Sequence, residues 1–296
     1  MIIKEHINVK DDRLIDGLTP VVWIMDQMEK SVDQEVTIDF SDTRFISPVF
    51  ALSLIVYLTR CGKQIAFTNV FDYLERIGLG IGGIKPDTMR QTEFLAELEK
   101  YTSKTYIPII DFAAGRNSDA KEIVSSIVEN MIIQQLNIQS NVANGLKYMI
   151  DETLDNITEH SESDRGYIFA QAYPTKGFLD VCIADRGVSL LGSYEKLPDN
   201  EILSDMEAIK AANRGLSSKN LPDAENRGFG IRTSKQMLIH GLGGQYLMIS
   251  GSSLYLKSCN LDTFYSMPHG LRWNGTIVAL RIPYHSSSFN YINYIE

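Results

Sequence analysis

Apolar positions along this chain change their period from one stretch to the next. Over residues 36–40 they alternate, the two-residue repeat of a half-buried strand. Ser47-Pro48 then opens a run that stays apolar to about residue 60. Serine at an N-cap and proline at the first helical position predict a helix there. The serine oxygen accepts an orphan amide, and proline lacks the N–H that would have no partner. Gly62 closes the helix. A second apolar segment, 65–67, leads through Asn69 into a predicted helix over 71–77. Strand and helix alternate over residues 1–84 in the manner of a small α/β domain.

From 85 to 117 the pattern weakens. Pro86 breaks the chain, 93–101 is patterned as an amphipathic helix, and Pro108 interrupts an apolar stretch, so this segment reads as an ordered connector. Asp119 with Glu122 three residues on forms a candidate capping box for a helix to about 136, and Ser140 is placed to cap a second helix running through His160. Strand patterns follow at 167–173, 178–184, 245–249, 254–256 and 276–282. The polar stretch 188–227 between them is too long for an ordinary connection and reads as a lid. The predicted division is 1–84, a connector at 85–117, and a second domain over 118–296.

Composition narrows the function classes. The chain has 296 residues, 44% of them hydrophobic, which favours two domains. A net charge of -9 argues against a broad basic footprint for nucleic acid and toward small molecules or proteins as partners, a second copy of the chain included. The three cysteines, Cys61, Cys182 and Cys259, are far apart and odd in number, fitting reduced thiols in the cytoplasm. The longest apolar run, residues 48–58, is too short to span a bilayer, so no membrane segment is expected.

Chemistry concentrates after residue 150. Glu152, Asn156 and His160 are spaced four apart and share one helix face. Asn156 offers a neutral oxygen suited to a magnesium ion that keeps waters and bridges phosphates. Glu152 suits a general base toward an attacking water or hydroxyl. Taken by itself this face reads better as a solvated acidic surface, since Asp151, Asp155 and Glu159 flank it, and His160 reads as structural. Asp185 with Gly187 after a strand matches a common turn signature. A buried carboxylate there also accepts hydrogen bonds from an amine and rejects a carbonyl. Gly228 and Gly230, at the start of a helix, open its N-terminal amides to phosphate oxygens.

Four blocks in order resemble the GHKL (histidine kinase-like) ATPase superfamily: Glu152 to Asn156, Asp185-Arg186-Gly187, Arg227-Gly228-Phe229-Gly230-Ile231, and Gly275-Thr276. The resemblance covers 118–283. It implies an ATP-binding α/β sandwich, a mixed sheet covered on one face by helices. Asp185 would then face the adenine amine and Gly187 the ring. Gly228, Gly230 and Ile231 would open the phosphate helix, and Thr276 would support Asp185 or a bridging water. Asn156 would hold Mg and Glu152 would act as catalytic base. Ser217-Ser218-Lys219 is similar to the lid of serine-kinase-like members, with Lys219 or Arg227 offered to phosphate charge.

The first half resembles a STAS domain, the fold of anti-sigma-factor antagonists, through residues 36–40, 45–48 and 65–70. The family's Asp-Ser pair is replaced by Ser47-Pro48, and Ser47 reads better as an N-cap than as a phosphate acceptor. Together the resemblances imply a regulatory Mg-ATP-binding protein, a serine/threonine protein kinase of the anti-sigma-factor type acting on a protein partner. Two alternatives stay open: an ATPase or ATP-gated switch without protein phosphorylation, and a nucleotide-independent scaffold.

Overall fold

The computed structural model describes residues 1–4, 13–114, 124–126, 128, 132–133, 140–160, 162–216, 229–284 and 289–294. In the first segment, strands β1 (Ile2–Lys4), β2 (Glu35–Asp39) and β3 (Gln64–Thr68) form a parallel sheet in the order β1-β2-β3. Helix α1 (Leu18–Lys30), which strand and turn signals alone did not reveal, buries Leu18, Val21, Ile24, Met25 and Met28, a three-and-four spacing that makes one apolar stripe. Helix α2 (Pro48–Leu58) starts as predicted: Ser47 accepts from the Phe50 amide at 3.3 Å, and Pro48 follows it.

A second, seven-stranded sheet comprises β4 (Tyr106–Ala113), β5 (Arg165–Tyr173), β6 (Phe178–Asp185), β7 (Gln245–Gly251), β8 (Ser253–Ser258), β9 (Leu261–Ser266) and β10 (Trp273–Pro283). Its order is β4-β5-β6-β10-β7-β8-β9, and each described pairing is antiparallel. The expected mixed sheet is therefore corrected. β6 and β7 run the same way, but β10 lies between them and opposes both, so no parallel ladder forms. β4 comes from the stretch read as a connector; its register shifts between Ile107 and Ile110, around Pro108, as an edge strand tolerates.

Alternation along the central strands sorts side chains to two faces. Val181, Ile183, Met248, Val278, Leu280 and Ile282 point to one face. There they pack with Leu146, Met149, Ile150 and Leu154 of the long helix α5 (Ser140–His160). Two short helices, α3 (Asp72–Arg76) and α4 (Gln91–Glu99), precede β4. Val124, Val128 and Ile132, helical and four apart, join the same core, while Asp119 and Glu122 lie outside the described residues.

Cys182, Ala184, Leu247, Ile249, Trp273, Ile277 and Ala279 point to the other face, where the expectation of a one-sided sandwich is also corrected. That face is covered by α2. Each residue from Pro48 to Tyr57 is buried, because one side of the helix meets the small sheet and α1 while the other meets β5, β6 and β10. A helix apolar all round has to be enclosed this way. The Trp273 indole N–H donates to the Ser53 carbonyl at 3.1 Å across the junction. Among the described residues no helix is long and apolar enough to cross a membrane.

Candidate functional site

Asp185 ends β6 and is 1% exposed. One carboxylate oxygen accepts the Gly187 amide at 2.7 Å, and the other accepts the Thr276 amide from β10 at 3.1 Å. Gly275, at φ +100°, lets β10 enter this close. A Cβ there would stand 2.3 Å from the Asp185 carbonyl oxygen and 2.6 Å from Oδ1. Burial pushes the carboxyl pKa up to about 7, against the opposing pull of the two amides and of Arg60. Residues 185, 187 and 276 are thus brought together. The Thr276 hydroxyl pairs with Ser250 Oγ at 3.1 Å, and it is the threonine's backbone amide that holds Asp185. Ser250, which also accepts the Leu190 amide at 2.8 Å, carried no motif that would have singled it out.

The second group forms between α5 and α8 (Phe229–Gln236), two helices in contact. Glu152 lies directly over Gly230: a Cβ on Gly230 would fall 1.7 Å from Glu152 Oε2. Side chain and glycine therefore depend on each other. Asn156, one turn on, donates its amide to the Glu152 carbonyl at 2.6 Å, which fixes the carboxamide plane. Tyr148, one turn before Glu152, hydrogen-bonds to that carboxylate and to Thr233 of α8; burial first and the Glu152 charge second push its pKa up to about 12. Sequence reasoning missed Tyr148, although its four-residue spacing to Glu152 was the available signal. Ile231 is half-buried against the core. Gly228, Arg227 and Ser217 to Lys219 lie outside the described residues, as do the side chains of Phe229 and His160.

No family model matches the chain, and no curated protein matches it.

The polar stretch from Val188 is not one open connection. It folds first into α6 (Leu190–Tyr194) and α7 (Asp205–Asn213), capped by Ser189 and Ser204. Asp205 is buried and accepts from the Ser252 amide at 2.9 Å and its hydroxyl at 2.8 Å, docking α7 beside the β7–β8 turn. Lys235 of α8 donates to the Asn213 carbonyl and side-chain oxygens, both at 3.1 Å, and burial lowers its pKa to about 8. The lid expectation is thus corrected for residues 188–213. Small polar residues there make caps and buried contacts, which a polarity profile alone reads as loop.

Among the described residues no three His, Cys, Asp or Glu side chains cluster as a metal cage.

Proposed function

We propose that this chain binds Mg-ATP in a site of the GHKL type and acts as a protein kinase of the anti-sigma-factor serine/threonine class. The observation that carries the reading is Asp185: a deeply buried carboxylate with one backbone amide on each oxygen and, among the described residues, no side-chain cation hydrogen-bonded to either. A structural carboxylate is normally buried with a full partner; this one keeps lone pairs for an incoming donor, and the exocyclic amine of adenine is such a donor.

At the other end, Glu152 is the group suited to take a proton from an acceptor hydroxyl. Its contact with Tyr148 orients it, and its seat on Gly230 puts it at the first turn of α8, where the helix dipole favours phosphate oxygens. Asn156 would hold magnesium, which would supply charge neutralisation to the phosphates. The fixed plane of its carboxamide fits a single-oxygen ligand.

Calorimetric titration of the full chain with ATP and GTP, with and without magnesium, tests the site. ATP binding in preference to GTP, lost in Asp185→Asn, is the expected result; no ATP binding by the unmodified chain overturns it. Labelled ATP incubated with candidate partner proteins then separates the chemistry. Label on a partner serine or threonine supports the kinase. Free phosphate alone, lost in Glu152→Ala while ATP still binds, assigns water as the acceptor and makes the protein an ATPase.

A further inference from the structure

The base end of the site is touched by a residue from the other half of the chain. Helix α2 lies flat on β5, β6 and β10, and Gly62, at φ +69°, stops the chain just beyond it. That placement delivers Arg60 to the end of β6, where its guanidinium donates to the Arg186 carbonyl at 2.5 Å. The Arg186 side chain is held in turn by Asp164, through bonds of 3.0 and 2.6 Å.

The Arg186 carbonyl and the Gly187 amide belong to one peptide unit, which is planar and trans, so fixing one end fixes the direction of the other. The Gly187 amide is the group that donates to Asp185 Oδ1 at 2.7 Å. A charged donor on the carbonyl also polarises the unit and strengthens its N–H as a donor. We propose that Arg60 is a positioning residue for the adenine-selecting carboxylate, acting through the Arg186–Gly187 peptide, so that nucleotide affinity is coupled to the docking of the N-terminal segment. The inference rests on the nucleotide reading given above and adds its regulation. Since coupling is reciprocal, a bound nucleotide in turn favours the docked position of α2.

The test compares the unmodified chain with Arg60→Ala and Arg60→Lys, titrated with adenosine and with Mg-ADP, alongside amide hydrogen exchange without nucleotide. Arg60→Ala should weaken both ligands by the same factor, about tenfold or about 1.4 kcal/mol. Arg60→Lys, which still donates to the carbonyl, should recover most of it. Exchange at Gly187 should accelerate in Arg60→Ala while the core strands and the melting temperature stay unchanged.

Unchanged affinity for both ligands in Arg60→Ala overturns the proposal. So does a loss for Mg-ADP but not adenosine, which would place Arg60 on phosphate, and so does accelerated exchange throughout the molecule. An unmodified chain that binds neither ligand overturns the nucleotide reading and this coupling with it. Unchanged Gly187 exchange in Arg60→Ala overturns the positioning role alone.

Discussion

Adenosine should bind more tightly as the pH rises from 6 to 8, and the reason is the burial of Asp185. Only its ionised form accepts from the adenine amine without offering a competing proton. With a pKa of about 7 in the free protein, the ionised fraction grows from roughly 0.1 at pH 6 to roughly 0.9 at pH 8. Affinity therefore rises about tenfold across that interval. Adenosine carries no phosphate that titrates there, and the hydroxyls of Thr276 and Ser250 beside the carboxylate do not ionise. Asp185→Asn should flatten it and weaken binding at pH 8 by about 1–3 kcal/mol, because a carboxamide must turn its NH2 toward one of the two backbone amides.

The same shift has a stability side. The native pKa lies above the ordinary value of 3.8, so the native state is penalised only once the group ionises. The penalty is absent below about pH 4 and complete above about pH 7, where it reaches on the order of 4 kcal/mol. Urea unfolding should then show the unmodified protein losing stability relative to Asp185→Asn as pH rises through that window. A flat adenosine profile between pH 6 and 8, or equal binding by Asp185→Asn at pH 8, refutes the reasoning.

Other consequences follow from packing. Gly230→Ala should fold at least as well as the parent, because alanine favours a helix by up to about 1 kcal/mol. Its methyl nevertheless evicts the Glu152 carboxylate, so turnover of ATP should fall at least tenfold while nucleotide still binds. Ser47→Ala should destabilise the chain by about 1 kcal/mol in chemical denaturation through loss of the α2 cap, and incubation with ATP should place no phosphate on a hydroxyl that is 4% exposed. Leu54→Ala, at the centre of α2, should cost about 2–5 kcal/mol and shift one transition monitored at both Trp23 and Trp273. Two separated transitions would mean the halves do not share a core.

The local signals were the most legible. Ser47-Pro48 announced α2 because capping chemistry acts within three residues, and Asp185 with Gly187 was visible as a strand-to-turn step. Long-range pairing was not. Nothing near residue 273 indicates that β10 will lie between β6 and β7, and so the antiparallel character of the sheet went unseen. Helices α6 and α7 were hidden by their own caps, since Ser189, Ser204 and Asp205 raise local polarity while serving buried contacts. Arg60 was invisible for another reason: its partner lies 126 residues away, and an arginine after an apolar run looks like any solvated helix end.

The central place of β10 bears on how the protein is made. It is the last strand to leave the ribosome among those described, yet it joins the two halves of the large sheet. Until residues 273–283 emerge, β6 and β7 each present an unpaired edge, and α2, synthesised more than two hundred residues earlier, has only β5 and β6 of its wall to lie against. Closure of the large sheet thus waits on contacts of long sequence separation, which slow folding and leave two central strand edges open to wrong pairing until it is complete.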